Sequence, residues 1–219
     1  MNLKRFLLPV LFLFAFAAHA STSTPNVKFN AKGWNKHRNA IVTAAHRTNQ
    51  PVDALAAFAS IETTMGLSKD RKGLFQFVDR TWRDQVRRNG KKYGIRIGTP
   101  QSNARANALM AAEYMRENRD YLERKIGRPV TLSEIYMAHM LGTYGAEKML
   151  KASNKKLAKN VVRPGGNSPF FYSKGRALTV GEFKKRMTVY VEKHASTYRL
   201  SAVAYMDQRF STDHQLAMR

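Results

Sequence analysis

The sequence contains no cysteine, and this absence excludes several kinds of chemistry at once. Disulfide bonds, zinc sites built from thiolates, cysteine nucleophiles and lipid attachment to an N-terminal cysteine all require a thiol. Histidine is scarce as well, and none of the six histidines stands in the HExxH pattern typical of zinc metalloproteases. We therefore expect no metal ion and no other cofactor in this protein.

Acidic residues are few, with 15 Asp and Glu against 38 Lys and Arg. The formal net charge of +23 predicts a strongly electropositive surface. Such a surface favours polyanionic partners, namely nucleic acid, anionic lipid headgroups or acidic polymers of a cell envelope. A solvated basic surface with no particular partner is the alternative interpretation.

Long hydrophobic runs are confined to the first twenty residues. Lys4 and Arg5 precede an apolar run from Phe6 to Ala17, and a small-x-small site ends at Ala20, an order typical of a cleavable signal peptide. An uncleaved anchor is the alternative, although the run is short for a membrane span. Cleavage after Ala20 removes two positive charges and leaves +21. We expect a periplasmic or secreted protein with no transmembrane segment in the mature chain, and export argues against nucleic acid as the partner.

Strand signals are scarce, whereas apolar residues at helical spacing predict helices over 34–49, 51–65, 80–88 and 102–125. Two further helices are predicted after capping boxes, Thr-Leu-Ser-Glu at 131–134 and Thr-Val-Gly-Glu at 179–182. We expect an all-α fold, a single globular domain over 34–196 around a central buried helix. A linker at 21–33 precedes this domain, and a tail at 197–219 with weak periodicity, expected to be partly disordered, follows it.

The helix predicted over 51–65 carries a carboxylate on its apolar face. Leu55, Phe58, Ala59 and Glu62 fall at i, i+3, i+4 and i+7, and Gly66 indicates that the helix ends just after them. Burial disfavours the charged form of a carboxylate, and the negative end of the helix dipole acts in the same direction. Glu62 is therefore a candidate general acid. The alternative is a carboxylate at the edge of the stripe, paired with one of the many basic side chains.

Three further features place polar side chains where a ligand could bind. Gly73 to Gln76 forms a glycine turn that sets an amide before Phe77, and an amide can form hydrogen bonds with the N-acetyl group of a sugar. Tyr136 and His139 share the stripe of the helix after Thr131, and Tyr190 lies on the stripe of the last helix. Each also fits an ordinary packing role, in which the polar atom is satisfied locally.

In their order along the chain, these motifs resemble those of the lytic transglycosylase family. The matches are Glu62-Thr63, Gly73 to Gln76, Ala138 to Gly142 and, more loosely, Met187 to Val191. That family typically shows Glu-Ser, Gly-Leu-Met-Gln, Ala-Tyr-Asn-Ala-Gly and Glu-Thr-x-x-Tyr-Val. The resemblance covers roughly residues 34–195, and 136–150 and 167–182 are most similar to phage and secretion-associated wall-degrading members. It implies a lysozyme-like all-α catalytic domain.

The resemblance also implies cleavage of the β-1,4 bond between N-acetylmuramic acid and N-acetylglucosamine in peptidoglycan. Glu62 would protonate the glycosidic oxygen and then act as a base on the 6-hydroxyl of the same sugar, giving a 1,6-anhydro end. The residues implied to bind the glycan are Thr63, Gln76, Phe77, Tyr136, His139 and Tyr190.

Some departures from the family pattern bear directly on the expected site residues. Thr63 keeps the hydroxyl of the usual serine. His139 and Met140 stand where tyrosine and asparagine are typical, and Tyr136, one helical turn earlier, is expected to replace that tyrosine.

One carboxylate is enough for the anhydro route, whereas most glycosidases use two. Asp53 belongs to the first turn of its helix and Asp79 is expected to cap the helix over 80–88, which leaves Asp70 for a hydrolytic variant. The alternatives are therefore a peptidoglycan hydrolase (muramidase) and a wall-binding protein of the same fold without catalysis. A basic protein that acts on membranes or polyanions by charge is a further alternative.

The expected partners are peptidoglycan glycan strands and other anionic envelope polymers, bound by a monomer. Lys and Arg over 83–96 and 151–176 are expected to line a groove for this substrate, with Phe171 or Tyr172 against the sugar rings.

Overall fold

Helical patterns dominate the sequence, and the structure follows them. It is a computed structural model that describes residues 26–67 and 72–216, and 71% of it is helical, which confirms the all-α class. The predicted signal peptide, the first part of the predicted linker and Asp70 lie outside the described residues. Within those two ranges, no helix is long and apolar enough to span a lipid bilayer.

The bounds of the described helices follow in chain order. They are α1 Ala31–Thr48, α2 Val52–Thr63, α3 Asp79–Asn89, α4 Ala104–Ile126, α5 Leu132–Leu141, α6 Thr143–Lys151, α7 Ala158–Val161, α8 Ser168–Phe171 and α9 Val180–Leu216. Short 3₁₀ turns occupy Gly90–Tyr93 and Gly165–Asn167. An antiparallel hairpin joins β1 Tyr172–Ser173 to β2 Arg176–Ala177, with Tyr172 opposite Ala177 and Ser173 opposite Arg176.

The described residues form two compact units. One is Asn118–Thr188, and the other combines 26–117 with 189–216, so that α4 and α9 contribute residues to both. The domain bounds expected from the sequence, 34–196, stay a prediction, as does the lysozyme-like fold.

In the unit formed by 26–117 and 189–216, α2 lies within the core. Its residues are small and apolar on every side, and all of them except Asp53 are buried. The prediction that this helix is buried is confirmed. Asp53 stays at the surface, where its carboxylate accepts a hydrogen bond of 2.8 Å from Arg199.

The C-terminal part of α9 corrects the prediction of a partly disordered tail, because residues 197–216 are helical. Its rings lie against α1 and against Phe29, which stands two residues before α1 begins. The Tyr198 ring contacts Phe29 and Trp34, Arg38 lies over the Tyr205 ring, and Phe210 stacks on His46 with centroids 3.8 Å apart. These rings are five to seven residues apart, which gives a much weaker helical periodicity than a continuous apolar stripe.

Two helix starts differ from the predictions. Helix α1 begins at Ala31, because the Asn30 side chain accepts a hydrogen bond of 3.0 Å from the Gly33 amide, so the last residues of the predicted linker are helical. The prediction that Asp79 caps α3 was wrong. Val78 holds the capping position, and the Asp79 carboxylate accepts a hydrogen bond of 2.8 Å from the Gln101 side chain.

In the unit Asn118–Thr188, both predicted capping boxes are confirmed. The Thr131 amide donates to Glu134 and the Thr179 amide donates to Glu182, each over 2.8 Å. The pKa of Glu182 is lowered to about 2, mainly by the hydrogen bond from Arg176 and secondly by the hydrogen bond from the Thr179 amide. The two boxes fix where α5 and α9 begin.

The stretch between α6 and α9 is more ordered than its sequence indicates. Backbone hydrogen bonds from Ala158 to Leu178 and from Val180 to Lys156 hold 156–158 beside 178–180. Lys174 and Gly175 both have left-handed backbone angles, which is the geometry of a two-residue hairpin turn. This stretch is therefore a hydrogen-bonded framework.

Candidate active site

The candidate general acid lies in the last turn of the buried helix. Glu62 is 7% exposed and stands one residue before the end of α2. The backbone of the next residues closes the helix, because the Thr64 amide donates to Ser60 and the Met65 amide to Ala59. The sequence prediction that Glu62 lies on a buried face is confirmed.

Thr63 links this helix end to the glycine turn. Its hydroxyl bonds to the Ala59 carbonyl over 2.9 Å and to the Leu74 carbonyl over 3.2 Å, and it accepts a hydrogen bond of 2.8 Å from the Gly66 amide. The hydroxyl is therefore occupied by the protein, and Thr63 is only 5% exposed. Its predicted contact with the glycan stays a prediction.

Backbone strain is concentrated around these residues. Among the described residues, five that are not glycine have positive φ, and three of them are Thr64, Met65 and Gln76. Such a conformation costs about 1–3 kcal/mol per residue and is rarest for a β-branched side chain such as threonine. The Asn30 side chain donates a hydrogen bond of 2.8 Å to the Thr64 carbonyl and so helps to hold the strained segment. Strain of this kind is typical of functional sites.

The glycine turn is tightly enclosed. Gly73 has a φ of +71°, and a Cβ atom there would lie 2.2 Å from the Gln101 carbonyl oxygen. Within the turn, the Gln76 side chain donates a hydrogen bond of 2.7 Å to the Gly73 carbonyl. Gln76 remains partly exposed, as a ligand-binding amide requires.

Asn107 on α4 holds this turn, and sequence reasoning missed it. It is fully buried, and its side-chain oxygen accepts a hydrogen bond of 2.9 Å from the Phe75 amide. Its amide group also donates to the Lys72 carbonyl. The signal in the sequence is an asparagine within an alanine-rich helix, since such a polar residue is buried only where it finds partners.

Phe77 belongs to the core beside the turn. It is 1% exposed, and its ring contacts those of Trp82 and Tyr114 at centroid distances of 5.7 and 6.0 Å. This burial gives Phe77 a packing role, and its predicted contact with the glycan stays a prediction.

Tyr190 is the predicted site residue with a direct electrostatic link to Glu62. Burial, and secondly the charge of the Glu62 carboxylate, raise the pKa of the Tyr190 hydroxyl. The hydroxyl therefore keeps its proton at neutral pH and is a hydrogen-bond donor near this carboxyl group. Tyr190 is partly exposed.

Ser60 and His194 form a buried pair next to these residues. The Ser60 hydroxyl and Nδ1 of His194 are 2.8 Å apart, and the His194 ring lies 4.8 Å from the Tyr190 ring. Burial lowers the pKa of His194 to about 4, so the imidazole is neutral at physiological pH. His194 lies four residues after Tyr190, about one helical turn along α9, and the sequence analysis did not include it in the site.

Tyr136 and His139 belong to the other unit. Both lie on α5 and are 0% and 4% exposed, and their rings stack with centroids 5.8 Å apart. The side chain of Asn167 donates a hydrogen bond of 3.3 Å to the Met140 carbonyl on the same helix. The roles in glycan binding predicted for Tyr136 and His139 stay predictions.

Two of the three acids near Glu62 in sequence have other partners. Asp53 is bound by Arg199 and Asp79 by Gln101, while Asp70 lies outside the described residues. In the described part of the chain, no group of three or more His, Asp and Glu side chains is arranged to hold a metal ion. The site therefore consists of one buried carboxyl, a protonated phenol and a partly exposed amide on a strained turn.

A comparison of the chain with protein-family models finds no match.

Proposed function

We propose that this protein is a peptidoglycan lytic transglycosylase. It cleaves the β-1,4 bond between N-acetylmuramic acid and N-acetylglucosamine and leaves a 1,6-anhydro end on the muramic acid. Glu62 is the general acid and base of this reaction.

The observation that carries the proposal is the position of Glu62. It lies in the last turn of a helix that is buried on nearly every side, and the Tyr190 hydroxyl is close enough to respond to its charge. Such surroundings suit a carboxyl group that donates a proton and later takes one back.

The chemistry needs no second carboxylate. Glu62 donates its proton to the glycosidic oxygen as the bond from the muramic acid C1 to this oxygen breaks, which releases the N-acetylglucosamine hydroxyl. The Glu62 carboxylate then takes the proton of the muramic acid 6-hydroxyl, whose oxygen forms the new bond to C1. The Tyr190 hydroxyl donates a hydrogen bond to the carboxylate between the two steps. No water is consumed.

The Gln76 amide supports the same assignment. It is partly exposed, one of its N–H groups donates to the Gly73 carbonyl, and an amide can both donate hydrogen bonds to an N-acetyl group and accept them from it. In this proposal the amide meets an N-acetyl group of the glycan. The sharp, enclosed turn fixes its position relative to α2 through Thr63.

An acid-free basic segment supports peptidoglycan as the partner. Residues 148–181 contain no Asp or Glu and eight Lys and Arg. Lys155, Lys156, Lys159, Arg163 and Lys174 are exposed, and within the described residues none of them forms an ion pair. Peptidoglycan offers carboxylates on its peptides and on the muramic acid lactyl groups, and other anionic envelope polymers suit the segment as well. We propose that the protein meets this substrate as an exported monomer, in the periplasm or after secretion.

The same segment favours a second candidate, a wall-binding protein without catalysis. For a hydrolase, Asp70 is the remaining candidate among the acids near Glu62 in sequence, since Asp53 and Asp79 are bound elsewhere and Asp70 lies outside the described residues.

Mass spectrometry of digested peptidoglycan tests the proposal. Purified sacculi are incubated with the wild-type protein and with the Glu62→Gln variant, and the soluble products are weighed. Muropeptides that lack one water at the muramic acid end support the transglycosylase. Reducing ends would replace it with the hydrolase, and an absence of products with the wild type would replace it with the binding protein.

A further inference from the structure

Two side chains of helix α2 interact with two side chains of helix α9 at the candidate site. Ser60 and Glu62 lie two residues apart on α2, and Tyr190 and His194 lie four residues apart on α9. Ser60 bonds to His194 over 2.8 Å, the His194 ring contacts the Tyr190 ring at 4.8 Å, and the Tyr190 hydroxyl responds to the charge of Glu62. Ser60, His194 and Tyr190 thus form a chain of contacts between the two helices, and the charge of Glu62 acts on the Tyr190 end of this chain.

The Ser60–His194 bond fixes the imidazole. Both side chains are buried, at 3% and 8% exposure, and leaving a buried polar group without its partner is costly. A neutral imidazole has one N–H and one lone pair, and a hydroxyl can match either one at Nδ1. The hydrogen bond therefore restricts the rotation of the ring, and the ring in turn limits the space open to Tyr190.

We propose that His194, held by Ser60, is a positioning residue that keeps the Tyr190 hydroxyl directed at the Glu62 carboxyl. This inference rests on the proposed function, in which Glu62 exchanges a proton twice. A loosely held phenol would spend part of its time away from the carboxylate, and small misplacements of catalytic groups lower the rate strongly.

A serine beside a histidine also suggests a nucleophile, but burial argues against that role here. Ser60 is 3% exposed and lies within α2, so its hydroxyl offers little access to a substrate carbon. The pair acts through Tyr190.

Kinetic measurements on two conservative variants test the proposal. Ser60→Ala removes one partner of the bond, and His194→Phe keeps a ring of similar size while it removes the other partner. We expect each variant to lower kcat for release of anhydro muropeptides roughly 10-fold, with KM nearly unchanged. The double variant should also lose roughly 10-fold, because both changes break the same bond. Ser196→Ala is the matched control, since this exposed hydroxyl of the same helix donates a hydrogen bond to the Lys193 carbonyl within its own helical turn.

Several kinetic results would overturn the proposal. These are an unchanged kcat in both single variants, an increase in KM alone, or losses that multiply in the double variant. A lower stability with an unchanged kcat would reduce the pair to a packing role and overturn the proposal as well.

Fluorine NMR of protein labelled with 3-fluorotyrosine gives a readout that does not depend on activity. The Tyr190 signal is assigned by its loss in Tyr190→Phe. We expect it to shift or broaden in Ser60→Ala and His194→Phe and to stay unchanged in Ser196→Ala. If the wild type releases no products but the Tyr190 signal responds in this way, the proposed function fails and the positioning contact stands. An unchanged signal in both variants would overturn the positioning.

Discussion

Around Glu62, most of the polar side chains are buried and bonded to the protein, whereas between Lys148 and Gly181 the basic side chains are exposed and no acid is present. The sequence predicts that both regions meet the glycan. The first holds its groups through a strained backbone and hydrogen bonds of Thr63 and Asn107. The second presents charge on a framework of backbone hydrogen bonds.

The difference indicates that one region suits proton transfer and the other suits binding of a polyanion. Buried groups at fixed distances suit proton transfer, and salt screens them weakly. Exposed cations attract a polyanion from a distance, and salt screens them strongly. Cleavage should therefore depend on the region around Glu62, and wall binding should depend on the basic segment 148–181.

The largest expected effect is that of Glu62→Gln. The variant keeps the shape of the side chain and loses the proton, so we expect cleavage to fall by roughly 10²- to 10⁴-fold while binding to sacculi is unchanged. Release of soluble muropeptides and pelleting with sacculi measure the two properties. Glu192→Gln is the matched control, because this exposed glutamate on α9 should alter neither. If Glu62→Gln still cleaves peptidoglycan, cleavage does not depend on Glu62, and the expected difference in function between the two regions is wrong.

Gly73→Ala comes next, because it disturbs the turn that carries Gln76. The new Cβ atom meets the Gln101 carbonyl oxygen at 2.2 Å in a left-handed conformation. We expect the free energy of unfolding to fall by roughly 3–4 kcal/mol and cleavage to fall with it. Gly94→Ala is the control, since Gly94 has a similar φ of +68° but nothing within 4 Å of the added atom, and it should cost about 1 kcal/mol. If urea unfolding shows that both variants lose the same free energy of unfolding, the close contact between the turn and Gln101 does not contribute to stability.

His194 should make the stability of the protein depend on pH. Its pKa is lowered from 6.5 to about 4 by burial, so it binds a proton more readily in the unfolded chain than in the folded one. The stabilisation is complete above the unfolded pKa and is lost as the pH falls through the folded pKa, and it amounts to roughly 3 kcal/mol. We expect His194→Phe to lose less stability than the wild type between neutral pH and about pH 4.

Urea unfolding at the two pH values measures this difference. Burial also lowers the pKa of His37, which contributes equally to the wild type and the variant and so cancels. The same pH dependence in both proteins would mean that His194 is hydrated and does not hold Tyr190.

The smallest effect is expected in the basic segment. Changing Lys155, Lys156 and Lys159 to Gln should weaken binding to sacculi roughly threefold to tenfold at low salt, and the difference should vanish near 1 M salt. Cleavage of short soluble fragments should be unchanged. Lys28, Lys32 and Lys36, also exposed, give a control triple variant with the same net charge. An equal loss in both triple variants would show that wall binding depends on the total charge alone.

Local patterns predicted much of the fold. The capping boxes at Thr131 and Thr179 involve partners three residues apart, so the sequence specifies them directly, and both form. The helical end of α9 was missed because Tyr198, Tyr205 and Phe210 pack against residues of α1, and their spacing in the sequence does not show these contacts. Asp79 was misplaced for a similar reason, since its partner Gln101 lies 22 residues away.

In the site, as in the fold, the sequence predicts local features but not contacts between distant residues. Burial of Glu62 follows from the run of small apolar residues over α2, which has no polar face to turn toward water. The bond between Ser60 and His194 joins residues 134 positions apart, and that between Asn107 and Phe75 joins residues 32 apart. No periodicity within a helix predicts such a pair, because each residue alone fits a packing role equally well.

The sequence by itself determined the helical class, both capping boxes and a carboxylate on the buried face of α2, because these depend on neighbours within one or two helical turns. The tertiary structure decided which side chains surround that carboxylate and which backbone segments are strained to present Gln76. Those features depend on segments distant in the chain, because α9 meets α2 through the Ser60–His194 bond and α4 meets the glycine turn through the bond between Asn107 and the Phe75 amide.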